Sequence, residues 1–135
     1  MNKASKNSIE NGNIKHYIFG IIISFLTIAV MLALFSFIFL FTELDRAYSS
    51  AFATVAAAVG TLIGSYFTSY KIGTKGFKTG LIISLCIFFI ITIISFAINK
   101  NGFSLNTLFH FIILLLSGFI GGVLGVNKNS RKKYI

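Results

Sequence analysis

The chain has 135 residues, 56% of them apolar and 11% charged, with a mean hydropathy of +0.87 and a formal net charge of +9. Soluble domains run to about 45–50% apolar and about 25% charged, so this composition excludes an ordinary soluble globule, a disordered chain and a collagenous one. The length allows one domain, and the apolar excess makes a lipid bilayer its solvent.

Residues 1–16 form a polar tail, expected to be mobile, with no readable motif. The first apolar run extends from about Ile18 to Phe41 without a charge. Lys15 and His16 precede it and Ala51-Phe52-Ala53 has a small-x-small pattern, as a cleaved leader would. A leader's apolar core is only about 7–15 residues long, however, so this run is read as a retained helix. The second span, about Ala47 to Tyr70, is rich in Ala, Gly, Ser and Thr. Within it Ala53, Ala56, Ala57, Gly60 and Gly64 recur at three- and four-residue spacing and so share one helix face, where another backbone can approach closely.

A polar loop from Lys71 to Lys78 follows, in which Gly73 and Gly76 allow a tight turn and Lys71, Lys75 and Lys78 face anionic headgroups. It lacks the spacing of a phosphate-binding loop. The third span, about Thr79 to Ile98, holds Cys86, the single cysteine, so neither an intramolecular disulfide nor a zinc cluster can form. The fourth, about Thr107 to Val126, has a second small-residue face in Ser117, Gly118, Gly121, Gly122 and Gly125. Residues 128–135 form a basic tail carrying Lys128, Arg131, Lys132 and Lys133. The expected fold is therefore an all-α polytopic membrane domain over residues 17–127, built as four transmembrane helices in two hairpins. Period-2 alternation, the mark of barrel strands, is absent.

Charge sets the expected orientation. Ten of the 12 Lys and Arg residues fall on one side: Lys3, Lys6 and Lys15, the three lysines of the central loop, and the C-terminal cluster. The other side holds Arg46 and Lys100, beside Glu43 and Asp45. By the positive-inside rule both termini are cytoplasmic. Tyr17, Tyr48 and Tyr70 fall at the expected water–lipid boundaries. A nucleic-acid partner would need a basic face interleaved with aromatics, and there is none.

Chemistry has little to work with. The central parts of the spans hold no Asp, Glu, Lys or Arg, and His16 and His110 fall on opposite sides of the bilayer. No catalytic, metal or cofactor-binding residue is assigned, and an enzyme is not expected. His110, about one turn inside the fourth span, reads as an interfacial histidine with water access. The hydroxyls of Ser24, Thr27, Ser36, Thr54, Thr61, Ser65, Thr68, Ser84, Thr92 and Ser95 could line a wet path or bond to carbonyls one turn back, the reading favoured here.

The second and fourth spans run in the same direction, so a close parallel crossing on their two glycine faces is sterically available. The two halves can also be aligned with each other. One register matches Ala57 with Gly118, Gly60 with Gly121 and Gly64 with Gly125; another matches Gly64 with Gly121 and Lys71 with Lys128.

Gly64-Ser65-Tyr66, Ser69, Lys71, Gly73, Lys75-Gly76-Phe77, Gly80 and Ser84, with the ending Gly118-Phe119-Ile120-Gly121-Gly122-Val123-Leu124-Gly125-Val126-Asn127, resemble the YrzE-like small membrane proteins of Gram-positive bacteria. The resemblance covers roughly residues 15–133. Phe77 stands where that family often has Trp, and Ser69-Tyr70 where a small residue and Gly are usual. The family is uncharacterised; the resemblance implies four spans and a bacterial inner-membrane location. Its members are often encoded near the YajC accessory component of protein export, which points to partners there. The expected role is a non-enzymatic accessory or interaction subunit, bound to lipid and to another membrane protein or itself. The alternatives are a small channel or carrier for a neutral or hydrophobic solute, and a holin-like permeabilising protein.

Overall fold

A computed structural model describes residues 3–42, 48–98 and 105–133, with side chains from Ile14 to Lys132. Four helices follow in order: α1 (Lys3–Phe41), α2 (Ser49–Ile72), α3 (Gly76–Ile98) and α4 (Leu105–Lys133). Each contains a stretch long and apolar enough to cross a membrane: Ile14–Phe41, Ser49–Ile72, Gly76–Ile98 and Leu105–Lys132. Glu43, Asp45, Arg46 and Lys100, the acidic and basic residues assigned to the second side, lie outside the described residues.

The tails depart from expectation. α1 begins at Lys3 inside the polar segment, and α4 continues through the basic tail to Lys133. The chain has no proline. Once a helix is nucleated by its apolar stretch, each added residue contributes a hydrogen bond for little further ordering. The cations at the end of α4 also interact favourably with the helix dipole.

The radial distribution is the reverse of that in a soluble protein. The buried apolar side chains are Ala56, Ala57, Ile83, Ile87 and Leu114, whereas Ser24, Thr61, Ser65, Thr68, Ser69, Thr79 and Ser84 are all at most 2% exposed. Large apolar residues such as Leu26, Leu40, Phe89 and Phe96 are at least 63% exposed. Small hydroxyl residues pack inside because they let backbones approach and because most satisfy themselves locally. Thr61 Oγ1 donates to the Ala57 carbonyl (2.7 Å), Thr68 Oγ1 to Gly64 (2.8 Å) and Ser24 Oγ to Gly20 (2.9 Å). These bonds bear out the back-bonded reading for Ser24, Thr61 and Thr68.

Helix spacing is set by glycine. α1 packs antiparallel on α2, where a Cβ at Gly60 would lie 2.9 Å from the Ser24 carbonyl oxygen and one at Gly64 2.7 Å from that of Gly20. α3 packs antiparallel on α4 in the same manner: Gly118 approaches the Gly80 carbonyl oxygen, and Gly122 that of Gly76. α2 and α4 run parallel, with Gly121 against the Leu62 carbonyl, Gly125 against that of Tyr66, and Ser117 Oγ donating to the Ala58 carbonyl. α1 meets α3 through Tyr17 and Thr79, whose hydroxyls lie 3.4 Å apart, and through Gly20 beside Ile83.

Two expectations are thereby corrected. The parallel α2–α4 pairing is present, but Gly60 and Gly64 face α1; α4 rests instead on the Ala58, Leu62 and Tyr66 face of α2. Only one of two facing backbones needs glycine for close approach, so α2 can spend its own on a different neighbour. The packing also matches Gly60 with Gly118 and Gly64 with Gly122, which is neither register proposed from sequence alone.

The turn between α2 and α3 is closed by specific chemistry. Gly73 has φ 69°, its N–H donates to the Ser69 carbonyl (2.9 Å), and Asn129 Nδ2 donates to the carbonyl of Tyr70 (2.7 Å). Lys75 also adopts positive φ (51°). Gly76, expected to ease the turn, already belongs to α3 and serves close packing against Gly122 instead.

Candidate functional site

The described glycines that meet a neighbouring helix lie from the middle of the bundle, at Gly60 and Gly118, to the end that holds the α2–α3 turn. At the opposite end the contacts are aromatic. Phe52 of α2 packs against Phe35 and Phe39 of α1 (centroids 5.1 and 5.2 Å), and Phe88 of α3 against Phe111 of α4 (4.6 Å). Helix separation follows the size of the side chains at the contact, and a cavity of about 590 Å³ opens among all four helices at this end. That volume lies within the range of about 300–1,000 Å³ typical of ligand sites.

The lining is graded along the helix axes. The deep wall is apolar, formed by Ile28, Ala57, Phe88 and Leu114. Toward the mouth the polar residues enter, Ser50 from the first turn of α2, Ser95 near the end of α3, and Asn106 and Thr107 from the first turn of α4, beside the apolar Leu32 and Phe96. Between these layers stand Thr54 and His110, brought together by the parallel pairing of α2 and α4. Thr54 Oγ1 lies 3.3 Å from each ring nitrogen of His110 and donates its own proton to the Ser50 carbonyl at 2.8 Å. The hydroxyl therefore offers no proton to the ring, and its equal distance from both nitrogens singles out neither. In neutral imidazole one nitrogen is a donor and the other an acceptor, and Thr54 supplies no hydrogen to that acceptor.

The residues assigned from sequence divide among several surroundings. Ala53 and Ala57 line the cavity. Gly60 and Gly64 meet α1; Ser117, Gly121 and Gly125 meet α2; Gly118 and Gly122 meet α3. Among the cations, Lys71 Nζ lies 5.2 Å from the ring centroid of Phe19 and Lys128 Nζ 6.0 Å from that of Tyr66, while Lys75, Lys78, Arg131 and Lys132 are exposed. The Lys133 side chain lies outside the described residues. Phe77 packs edge-on against Phe119 (5.3 Å), and Tyr70 stacks on Tyr66 (6.3 Å). Cys86 is a free thiol, and among the described residues no three His, Cys, Asp or Glu come together as a metal site.

Sequence reasoning placed Thr54, Thr92 and Ser95 in one set of ten hydroxyls and took His110 by itself; all four line the cavity. A polar residue near the start or end of each span was the available signal. The partner helix for each was not. The family model of a protein of unknown function, DUF3792, matches residues 13–125, which takes in the first three spans, most of the fourth and the whole cavity lining. No curated protein and no solved structure matches the chain.

Proposed function

The chain belongs to the DUF3792 family of unknown function, and on that premise we propose a multi-pass protein of the bacterial cytoplasmic membrane acting as a non-enzymatic accessory or interaction subunit. The charge asymmetry supports two hairpins with both termini in the cytoplasm. The similarity to YrzE-like proteins supports an association with protein export. The carrying observation is the distribution of α1. Only Gly20 and Ser24 of its described side chains are buried, while Ile22, Leu26, Val30, Leu34, Phe37 and Phe41 form a ridge at least 54% exposed. The glycine contacts are used up inside the bundle, so a protein partner is met on this ridge.

The test is crosslinking of the tagged protein in its native membrane, followed by mild solubilisation and mass spectrometry. A reproducible heteromeric partner, crosslinked through α1, is expected. Self-crosslinks alone, or none, would overturn the reading. A second reading, a small carrier or channel for a neutral or hydrophobic solute, is favoured by the cavity. It requires flux in proteoliposomes of the purified protein. The back-bonded hydroxyls and glycine contacts of the lysine-rich half speak for a closed end, and no flux is expected.

A further inference from the structure

The cavity has a lining that selects a kind of ligand, independently of any protein partner. We propose that it binds a neutral, single-chain amphiphile whose head carries a hydroxyl donor, with His110 as the acceptor for that hydroxyl. Three observations support this assignment.

The first is the axial gradient. The apolar floor of Ile28, Phe88 and Leu114 lies toward the middle of the bundle, and Ser50, Ser95 and Asn106 lie toward its end. In a bilayer this is the polarity profile of a lipid, chain inward and head at the surface. The second is charge: among the described residues the lining contains no Asp, Glu, Lys or Arg. An anionic phosphate head seeks Arg or Lys at close range, so an uncharged head is the better match. Of the described lysines, Lys71 and Lys128 lie at the opposite end, over rings of Phe19 and Tyr66, while Arg46 and Lys100 lie outside the described residues.

The third is the hydrogen-bond count at His110. Thr54 has committed its proton to the Ser50 carbonyl and so supplies none to the ring. The acceptor nitrogen of a neutral ring is thus not satisfied by Thr54, and His110 lines the cavity between its mouth and its floor. A hydroxyl just below the head of an amphiphile reaches that level. The ligand hydroxyl supplies the hydrogen that Thr54 does not.

The probe is a monoacylglycerol with a diazirine in its acyl chain, photolysed with the purified full-length protein in mild detergent. Adducts are expected on α3 near Phe88 and α4 near Leu114. Unlabelled monoacylglycerol should compete at least about tenfold better than phosphatidylglycerol of the same chain length. His110→Leu removes the acceptor and should reduce labelling about 3–10-fold, the range of one net hydrogen bond. His110→Gln, whose amide oxygen still accepts, should retain most of it. Ala53→Leu adds bulk to the wall at an apolar position and should also reduce labelling. It keeps the test decisive if the histidine variants do not fold, as judged by size-exclusion profile. Adducts spread over the outward ridge of α1, or equal competition by phosphatidylglycerol, would overturn the proposal. Labelling that Ala53→Leu abolishes but His110→Leu leaves unchanged would overturn the acceptor role. Neither result depends on whether a protein partner is found.

Discussion

Ser65 and Ser69 are buried hydroxyls whose Oγ atoms have no hydrogen-bond partner. They sit on the helix that also carries Thr61 and Thr68, both bonded one turn back. An unsatisfied buried hydroxyl costs about 1–3 kcal/mol in desolvation, so what Ser65 contributes is its small size. Ser65→Ala is expected to leave stability unchanged or raise it by up to about 1 kcal/mol. Gly122→Ala places a Cβ against the Gly76 carbonyl and 3.0 Å from Gly80 Cα, and overpacking of this kind costs about 1–3 kcal/mol. Unfolding in mixed micelles measures both. A Ser65→Ala protein as unstable as Gly122→Ala would show that Ser65 makes a polar contact after all. Sequence legibility at this scale was good for residue type and poor for partner. A glycine in a membrane helix signals close approach, but not to which neighbour.

At the scale of elements, the end of α2 is the best defined local structure. Gly73 is left-handed, and Asn129 reaches across from α4 to the Tyr70 carbonyl. A side chain at positive φ costs about 1–2 kcal/mol, and a Cβ here would lie 2.5 Å from Asn129 Nδ2. Gly73→Ala should therefore destabilise by about 2 kcal/mol or more, both from the backbone and by pushing away the cap. If Asn129 is already replaced by Ala, the penalty should shrink toward the backbone part alone. A double-mutant cycle checks this; full additivity would mean that the cap and the turn are not coupled. The four spans were legible because about 20 apolar residues in a row admit few other structures. The helical tails were not, because polar residues next to an established helix carry no periodic signal.

At the scale of the molecule, the bundle has two unlike ends. Glycines bring backbones together around the α2–α3 turn, and phenylalanines stand between helices around the cavity. Close backbone contact raises the local cost of opening, and helices bordering a cavity open more readily. Amide hydrogen exchange in micelles should show α2 beyond Gly60 and α4 beyond Ser117 protected far longer than the turns that hold Ser50, Ser95 and Asn106. Uniform protection along each helix would rule out this division. The same asymmetry places the candidate site: a site needs room, and only the end without glycine contacts provides it.

What the sequence determined by itself is the solvent, the number of spans and the inventory of small and polar residues. Each follows from hydropathy and spacing along a single helix, which are local properties. The expected α2–α4 pairing was correct in direction but wrong in the face α2 presents, because rotation about a helix axis is set by all of its neighbours at once. Gly60 and Gly64 lie against α1, which frees the Leu62 and Tyr66 side of α2 for Gly121 and Gly125. That choice alone brings Thr54 beside His110 and gathers polar residues from three helices around one cavity. Spacing along one chain segment cannot encode it; the packing of four helices against each other decides it.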